Sequence, residues 1–303
     1  MIVVAGEALV DVVLDADGDT SESPGGSPLN VAVGLARLDV PATLLTQVGH
    51  DEYGGMVVAH VKASGAEIIT VPTSTGRTSV ARATLDRNGV ASYDFDLDWS
   101  MPPQDLQPCH AVHVGSLGTL LEPGRAGVLD LVEQACQRQL FVSYDANLRE
   151  SFLDDRERTW RDVRDLGARC TLVKLSDEDA GLLDPESSPD DVARALLEGE
   201  RTELVVLTRG PNGATAYTSD HEVSATPRAI ELIDTVGAGD AFMAGMLAQL
   251  SDQGALFGTG PRPTTPGELE SLLLGAMEVA AITCERRGAN PPRRSELPAG
   301  WPG

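Results

Sequence analysis

Apolar and polar positions follow one another along the chain in blocks that predict strands and helices in turn. Ile2–Ala5 is a short continuous apolar run, which is typical of a strand buried on both faces, and the largely apolar stretches Ala42–Val48 and Phe141–Asp145 are also predicted as strands. Between such runs, apolar residues recur at helical spacing, as they do over 27–38. Strands that alternate with helices indicate a parallel sheet with helices on its faces. The pattern therefore predicts an α/β fold.

One region, 66–102, breaks this alternation. Two extended runs, 78–85 and 91–97, flank Asp86-Arg87-Asn88-Gly89, and Asn-Gly is a strong signal for a tight turn. Because a hairpin does not fit an all-parallel core, we interpret it as a small β flap. The remaining predictions are strands at 10–14, 112–115, 172–175 and 204–208, a hairpin of 214–217 with 222–225, a polar loop at 15–26, and helices at 51–63, 123–138, 190–197, 241–250 and 266–286.

The charge balance excludes several classes of partner. The 303 residues include 46 acidic and 23 basic side chains, which gives a net charge of −23. Nucleic acids and anionic membranes both need a basic face, so neither is expected as a partner. Lysine is rare, with only Lys62 and Lys174 in the whole chain. A phosphorylated ligand would therefore have to be bound by a local group of residues, because the overall charge of the protein repels it.

Cysteine usage and the apolar runs predict a cytoplasmic protein. The four cysteines are scattered and form no C-x-x-C pair, which argues against a zinc site or a disulfide framework. The first residues carry no positively charged leader, and no apolar run approaches the ~18 residues of a membrane span. We see no internal repeat and no linker long enough to separate two domains.

The stretch Asp234–Gly245 carries the strongest chemical signal. Its small residues Gly237, Ala238 and Gly239 lead into a predicted helix, whose free N–H groups and positive dipole end form an anion site. Asp240 at this position also suits a helix cap. A cap does not explain the small residues before it or a second aspartate six residues upstream. We therefore favour a general base beside a bound phosphate.

Other common sequence motifs for binding phosphate or metal ions, and the nucleophile motif of hydrolases, are absent from the sequence. Neither lysine follows a glycine, so there is no Walker A loop, and no G-x-G-x-x-G follows an early strand. H-E-x-x-H and G-x-S-x-G do not occur, and the five histidines show no metal spacing.

Polar residues and glycines follow several of the predicted strands. In an open α/β sheet, ligands bind beyond the carboxyl ends of the strands. Each of these residues alone also suits a turn or a cap, but together they fall where a parallel sheet places a ligand. They are Asp11, Gly25, Gly26, Asn30, Asp145, Asn147, Arg149, Thr208, Gly210, Gly213, Asp234 and Asp240.

Two motifs give the chain a family resemblance. DTVGAGDAF at 234–242, together with GGSPLNVA at 25–32, resembles the ribokinase (PfkB) family of carbohydrate kinases. Within that family, GEALVD at 6–11, YDANLR at 144–149, VKLSDED at 173–179 and TCERRGANPP at 283–292 are most similar to bacterial fructokinases. The resemblance implies a ribokinase-like three-layer α/β/α core with a mostly parallel sheet. It also implies one kinase domain over 1–303, with a small β lid formed by about 10–20 and 76–100.

The resemblance implies an ATP-dependent sugar kinase that transfers the γ-phosphate of ATP to a sugar hydroxyl. Fructose is the expected sugar, and 2-keto-3-deoxygluconate, ribose and nucleosides are the alternatives, because flap and pocket residues set the choice. A catalytically silent relative that binds sugar or nucleotide is the rival from another class. The intact Asp240 and Asp11 argue against that rival.

Each site residue inherits a role from the resemblance. Asp240 is the implied base, and the amides of Gly237, Ala238 and Gly239 form the implied anion hole. The implied substrate-binding residues are Asp11, Gly25, Gly26, Asn30, Arg82, Asp145, Asn147 and Arg149, with Tyr93 and Phe95 as further candidates for covering the sugar. The implied nucleotide-binding residues are Thr208, Gly210, Gly213 and Gly239. Arg149 has two interpretations that stay open: contact with substrate or phosphate, or an ion pair with Asp145.

Cations and a partner subunit also follow from the resemblance. The implied monovalent-cation loop, a K⁺ site, comprises Asp234, Val236, Thr283, Arg286 and Gly288. Mg²⁺ is expected with ATP. The family's N-x-x-E motif is replaced here by Ser176 and Asp179, so the resemblance implies only a water-mediated contact of Asp179 with Mg²⁺. The flap carries apolar residues that are expected to be exposed, namely Val80, Val90 and Phe95. They could pair with the flap of a second subunit and form a homodimer through the lid. Alternatively, the flap could cover the sugar without a partner.

Overall fold

The computed structural model describes residues 1–14, 19–85, 91–258, 260 and 262–301, and it leaves the side chains of 84, 85 and 91–93 undescribed. Over these residues the strands are β1 (Ile2–Ala5), β2 (Leu9–Leu14), β3 (Thr20–Gly25), β4 (Ala42–Val48), β5 (Glu67–Pro72), β6 (Ser79–Leu85), β7 (Ala91–Asp96), β8 (Ala111–Gly115), β9 (Phe141–Asp145), β10 (Leu172–Ser176), β11 (Leu204–Thr208), β12 (Ala214–Tyr217) and β13 (Glu222–Ala225). The α-helices are α1 (Ser27–Arg37), α2 (Glu52–Ser64), α3 (Arg125–Gln137), α4 (Arg156–Gly167), α5 (Asp177–Leu183), α6 (Pro189–Leu197), α7 (Ala238–Asp252) and α8 (Pro266–Cys284).

A nine-stranded sheet forms the centre of the molecule, in the order β13-β12-β11-β10-β9-β8-β1-β4-β5. The strands from β5 to β11 in this order are parallel, and β12 and β13 continue the sheet as an antiparallel hairpin at the predicted bounds. Helices α1, α2, α7 and α8 cover one face, and α3 to α6 cover the other. The predicted three-layer α/β/α arrangement with a mostly parallel sheet is confirmed.

The apolar runs are continuous because each central strand has a helical layer on both sides. In β1, Ile2 and Val4 pack into one core, while Val3 and Ala5 pack into the other. All four are at most 2% exposed. Parallel strands that are buried on both faces read as unbroken apolar sequence. The carboxyl ends of these strands share one edge of the sheet, where the candidate residues were predicted to meet.

A second sheet has four strands in the order β3-β2-β6-β7. The predicted hairpin is present as β6 and β7, and its turn at 86–89 lies outside the described residues. The predicted polar loop at 15–26 is wrong in its second half, because Thr20–Gly25 forms an edge strand paired with β2. Its side chains are polar because most of them are exposed, so the strand has no apolar signature.

Part of the region 66–102, which breaks the predicted alternation, belongs to the main sheet. Residues Glu67–Pro72 form β5, which pairs in parallel with β4 at the edge. Two helices without a sequence prediction, α4 and α5, lie on the opposite face from α1. None of the helices in the described part of the chain is long and apolar enough to span a membrane.

Candidate active site

Helix α7 begins three residues before its predicted start. Its N-cap residue, Gly237, has a φ of 74°, and a Cβ placed there would lie 2.6 Å from the Cβ of Ala289. Both the left-handed backbone and the close approach require glycine. Because the helix starts at Ala238, the predicted anion-binding residues are its N-cap and first turn.

Two of the three predicted anion-hole amides are available. Among the described residues, the N–H groups of Gly237 and Gly239 donate to no other group of the chain. The Ala238 N–H differs, since it donates to the carbonyl of Thr235 at 3.1 Å. Unpaired N–H groups at a helix N-terminus are an anion-binding arrangement.

The carboxylate of Asp240 points away from its own helix and toward α1. It accepts a hydrogen bond from the Ser27 hydroxyl at 2.6 Å and another from the Asn30 side-chain amide at 2.8 Å. Asp240 is only 7% exposed. Within the described residues no side chain makes a capping hydrogen bond at the start of α7, so Asp240 does not act as a helix cap. Ser27 was not singled out from the sequence, although it lies within the GGSPLNVA motif.

Asp11 lies on β2, next to the end of β3. A Cβ placed on Gly25 would lie 2.0 Å from Oδ2 of Asp11, so the carboxylate occupies the space that a side chain at that position would need. Burial raises the pKa of Asp11 to about 6, and the nearby positive charge of Arg149 partly opposes the rise. Gly26 follows as the N-cap of α1, which carries Asn30.

Arg82 and Asp11 lie on opposite faces of the small sheet. Asp11 pairs with Ala81 in the register of β2 and β6, and alternate residues of a strand point to opposite faces. The Arg82 side chain is 46% exposed and faces Asp94 at 3.8 Å. The structure therefore does not bring Arg82 together with the other candidate substrate residues.

Phe95 is on the same face as Asp11. It pairs with Ala81 across β6 and β7, and its ring meets that of Phe152 edge to face at 5.0 Å between centroids. Val80, predicted to be exposed, is buried. The side chain of Tyr93 and residue Val90 lie outside what the structure describes. Val80 is therefore not available on the surface for the expected contact with a second subunit.

Asp145 is paired with Lys174 and not with Arg149. Nζ of Lys174 lies 2.9 Å from both carboxylate oxygens, and both residues are buried. Burial raises the pKa of Asp145 to about 6, and the ammonium of Lys174 opposes the rise. Both carboxylate oxygens of Asp145 are therefore engaged by Lys174. Lys174 was not predicted as a site residue, although its rarity was a usable signal.

Arg149 instead turns toward the loop that carries it. It donates to the side-chain oxygen of Asn147 at 2.7 Å and to the Leu148 carbonyl at 3.0 Å. Asn147 has a φ of 37°, in a region of backbone space that is uncommon for residues other than glycine. Because the charge of Arg149 acts on the pKa of Asp11, these two side chains lie within electrostatic range of each other.

Asp179 is a capping residue of α5. Its carboxylate accepts from the Ser176 amide at 2.8 Å and from the Leu148 amide at 2.7 Å, while Ser176 Oγ accepts from the Asp179 amide. The pair forms a capping box and ties α5 to the loop after β9. Both oxygens are engaged, so the residue does not fit as a direct metal ligand.

The predicted nucleotide residues follow β11. Thr208 pairs with Ser176 in the register of β10 and β11. The chain then turns tightly, with the Arg209 amide donating to the Gly213 carbonyl at 2.8 Å and a short 3₁₀ turn from Gly210 to Asn212. These residues lie at the same edge of the sheet as Asp145.

Asp234 links the loop that precedes α7 to the loop that follows α8. Its carboxylate accepts from the Val236 amide at 3.0 Å and from the Gly288 amide at 2.8 Å. The Thr283 carbonyl accepts from the Arg286 amide. The five predicted cation-loop residues are therefore adjacent. Within the described residues, no group of three or more His, Cys, Asp or Glu side chains has an arrangement that could hold a metal.

Glu7 is a buried carboxyl that the sequence analysis did not select. It follows β1, is 5% exposed and accepts from the Gly118 amide at 2.7 Å. Burial raises the pKa of Glu7 to about 7, and the charge of Asp240 adds to the rise. Glu7 thus brings a second titratable group near the predicted base.

One cavity of about 440 Å³ lies elsewhere, where β9 to β11 begin. It is lined by residues that include Phe141, Thr171 and Leu204, and it contains none of the candidate residues. Binding at the amino ends of the strands does not fit the edge that an open α/β sheet uses for ligands. The candidate site therefore stays at the carboxyl edge.

Known proteins similar to this chain are sugar kinases. Probable fructokinase-4 of Arabidopsis thaliana is 29% identical, over 98% of this chain and 95% of the relative. A Vibrio cholerae fructokinase, crystallised with fructose, ADP and a potassium ion, superimposes with a TM-score of 0.81 at 25% identity, covering 95% of this chain and 93% of that one. A Xylella fastidiosa fructokinase with bound ATP also gives a TM-score of 0.81 at 25% identity, covering 98% and 94%.

The family model described as "pfkB family carbohydrate kinase" matches residues 1–296. The match includes both glycine-rich motifs and the two sheets that carry them. The chain is thus a phosphotransferase that acts on a sugar hydroxyl. It belongs to the pfkB family of carbohydrate kinases.

Proposed function

We propose that the protein is an ATP-dependent fructokinase, with Asp240 as the catalytic base. One observation carries the proposal: the buried Asp240 carboxylate, at the phosphate-binding start of α7, is held by Ser27 and Asn30 of the helix that follows the small sheet. This contact joins a predicted phosphate site to a predicted sugar site.

The base would act on the sugar hydroxyl as that hydroxyl attacks the γ-phosphorus of ATP. A new bond forms from the sugar oxygen to phosphorus, the bond from phosphorus to the bridging oxygen of ADP breaks, and the hydroxyl proton passes to Asp240. Ser27 donates to one carboxylate oxygen and Asn30 to the other, so the two bonds fix the orientation of the carboxylate. Such positioning is most of what phosphoryl transfer requires from a protein.

The free amides of Gly237 and Gly239 would stabilise the negative charge on the transferred group. Backbone N–H groups at a helix start are fixed before the reaction, so no reorganisation is needed when charge develops. Thr208, Gly210 and Gly213 would contact the nucleotide at the neighbouring strand end. ATP is supported as the donor by relatives crystallised with ATP or ADP.

Asp11, Gly25, Gly26 and Asn30 would bind the sugar. A carboxylate accepts hydrogen bonds from vicinal hydroxyls, and glycines let a ring lie close to the backbone. Arg149, whose charge acts on Asp11, would bind the sugar together with Asn147, while both carboxylate oxygens of Asp145 are already engaged by Lys174. Fructose is favoured over 2-keto-3-deoxygluconate, ribose and nucleosides because the relatives reported above are fructokinases.

Two cations accompany this proposal. The loops joined by Asp234 fit a K⁺ site, in which backbone carbonyls of Val236, Thr283, Arg286 and Gly288 would hold the ion and fix the anion-hole loop. Mg²⁺ would arrive with ATP, held by phosphate oxygens and water, and it would neutralise phosphate charge. Replacing K⁺ by Na⁺ or tetramethylammonium tests the first part: activity should fall, and unchanged activity would end the K⁺ proposal.

A coupled ADP-release assay tests the function. It compares fructose, ribose, 2-keto-3-deoxygluconate, adenosine and tagatose at equal ATP, with kcat/KM as the readout. We expect the highest value for fructose. A preference for ribose or a nucleoside would keep the sugar kinase and change its substrate, and no turnover with any acceptor would favour a silent relative.

We also propose a cytoplasmic homodimer that associates through the lid. Light scattering after gel filtration gives the mass in solution, and a monomer of 31.9 kDa would contradict the dimer.

A further inference from the structure

Lys174 is the one buried lysine or arginine among the residues that the structure describes. It is 3% exposed and lies in the middle of β10, opposite Asp145 in the register of β9 and β10. The chain contains only one other lysine, Lys62, which lies exposed on α2. A buried ammonium is costly to desolvate, so its place in the sheet needs an explanation.

The ammonium of Lys174 lies beside the start of α7. Two of its three N–H groups are accounted for by the oxygens of Asp145, each at 2.9 Å. A Cβ placed on Gly239 would lie 3.5 Å from Nζ, so the ammonium is next to the first turn of α7. Within the described chain, Nζ makes no third hydrogen bond. One N–H therefore remains for a ligand beside the unpaired amide of Gly239.

The surroundings of Lys174 are strongly acidic. Burial lowers the pKa of its ammonium, but the charges of Asp145, Asp179 and Asp240 outweigh that effect and hold the pKa above its ordinary value. The group is thus a permanent cation at neutral pH. Through this ammonium, β10 places a positive charge next to Gly239.

We propose that Lys174 is a catalytic residue of the phosphoryl transfer, which donates its remaining N–H to the transferred phosphoryl group and completes the anion hole with the amides of Gly237 and Gly239. The proton stays on Nζ throughout, and no covalent bond forms to the lysine. The inference rests on the proposed kinase function, since it needs a phosphoryl group in transfer. Asp145 acts as a positioning residue that aims the ammonium.

The alternative is that the ion pair only fastens β9 to β10. Both roles predict damage when Lys174 alone is removed, because Asp145 would be left buried and unpaired. A comparison of two variants separates them. Asp145→Asn breaks the ion pair and keeps the lysine side chain, with an amide oxygen as its hydrogen-bond acceptor. Lys174→Gln combined with Asp145→Asn breaks the pair and removes the ammonium, while it leaves two amides able to hydrogen-bond.

The experiment measures kcat, the KM for ATP and the melting temperature of the full chain, with the sugar that the wild type phosphorylates fastest. For the double variant we expect a loss of about 10² to 10³ in kcat, as found when one donor of an oxyanion hole is removed. Asp145→Asn removes the positioning carboxylate, so its kcat should also fall, but it should stay at least about tenfold above the kcat of the double variant. Lys62→Met is the matched surface control and should change nothing.

Binding of ADP with aluminium fluoride and sugar, a mimic of the group in transfer, gives a second readout. We expect the double variant to bind this mimic at least tenfold more weakly than the wild type while its affinity for ADP alone is unchanged. Equal kcat in the two variants, or equal loss of affinity for ADP and for the mimic, would overturn the inference.

The outcome for the wild type separates this inference from the proposed function. If another sugar replaces fructose, the variants are compared with that sugar and the inference is still decided. If the wild type phosphorylates no sugar, both proposals are overturned. If the double variant does not fold, Lys174→Gln alone is compared with Asp145→Asn, and a kcat in Lys174→Gln that is no lower than in Asp145→Asn would overturn the inference.

Discussion

The two sheets of this protein hold their functional residues by different means. Strands β1, β8 and β9 of the large sheet are buried at every position, with helices packed on both sides. In the small sheet, four of the six residues of β3 are exposed, and β2 becomes exposed toward its end. The large sheet and its helices carry Asp240 and Lys174, while the small sheet carries Asp11.

This difference separates the two halves of the proposed reaction. Phosphate chemistry depends on groups fixed by dense packing, which leaves little freedom for a side chain to move. The proposed sugar binding depends on Asp11, which is fixed mainly by strand pairing and by its close contact with Gly25. A change at Asp240 should therefore affect the chemical step, and a change at Asp11 should affect binding of the sugar.

The largest effect is expected from Asp240→Asn. Loss of a general base commonly reduces the rate by ~10²–10⁴, and the amide cannot take the hydroxyl proton. The Kd for ATP should stay within about threefold of the wild type, because the amides of α7 remain in place. Steady-state kinetics and calorimetric titration of ATP measure the two quantities. Turnover within tenfold of the wild type would remove Asp240 as the base.

Asp11→Asn is expected to act on the sugar alone. Loss of hydrogen bonds to a charged group should raise the KM for the sugar by about 10- to 100-fold and leave the KM for ATP unchanged. In the wild type, the sugar KM should also rise as the pH falls through about 6, where the raised pKa of Asp11 allows protonation. The variant should lack this rise. Asp94→Asn, on the opposite face of the small sheet, is the control.

Equal changes in the KM of both substrates would contradict this division, because they would mean that the small sheet also forms part of the nucleotide site. A sugar KM that rises equally at low pH in the wild type and in Asp11→Asn would assign the titration to another group.

Glu7→Gln tests the densely packed region around the large sheet through its effect on the free energy of unfolding. The folded pKa of Glu7, about 7, lies above its ordinary value of 4.5, so the folded state binds the proton more tightly than the unfolded state. The contribution of Glu7 to the free energy of unfolding therefore falls as the pH rises from 4.5 to about 7. The total change is about 3 kcal/mol from the size of the shift.

The measurement is urea unfolding of the wild type and Glu7→Gln at several pH values, with the exposed Glu178→Gln as a control. The stability of the wild type relative to Glu7→Gln should decline across this window, and a flat difference would show that Glu7 titrates normally.

The smallest effect is expected from Arg82→Ala. The side chain is 46% exposed, lies on the face opposite Asp11 and makes a weak ion pair with Asp94. Because it faces away from the predicted sugar space, kcat and the sugar KM should stay within about twofold, which is below the effect of one net hydrogen bond. A tenfold rise in the sugar KM would return Arg82 to the substrate site and imply that the lid moves.

The sequence predicted the large sheet better than the small one for the same physical reason. Strands buried on both faces give unbroken apolar runs, and the strand at Phe141–Asp145 and the hairpin of β12 and β13 have their predicted bounds. Strand β3 gives no such signal because its side chains face water and only its backbone pairs. Helix α4 was missed because few of its residues are buried, including Val163 and Leu166.

Motifs located the candidate residues, but they did not identify the partners. The glycine-rich stretch and GGSPLNVA indicated that Asp240 and Asn30 are important, yet the hydrogen bond between them joins residues 210 positions apart. The pairing of Asp145 with Lys174 and the opposite orientation of Arg82 depend on strand register. No local pattern encodes register between distant strands, so these relations required the structure.

The contacts of Asp240 also set a limit on when activity can arise during synthesis. Ser27 and Asp240 are 213 residues apart, so the base cannot be oriented until most of the chain has left the ribosome. Such long-range contacts form late and slowly, because a large loop must close before they are made. Helices α7 and α1 must dock before the site is complete. A nascent chain that ends before α7 can build the small sheet and much of the large sheet, but it lacks Asp240, the proposed base.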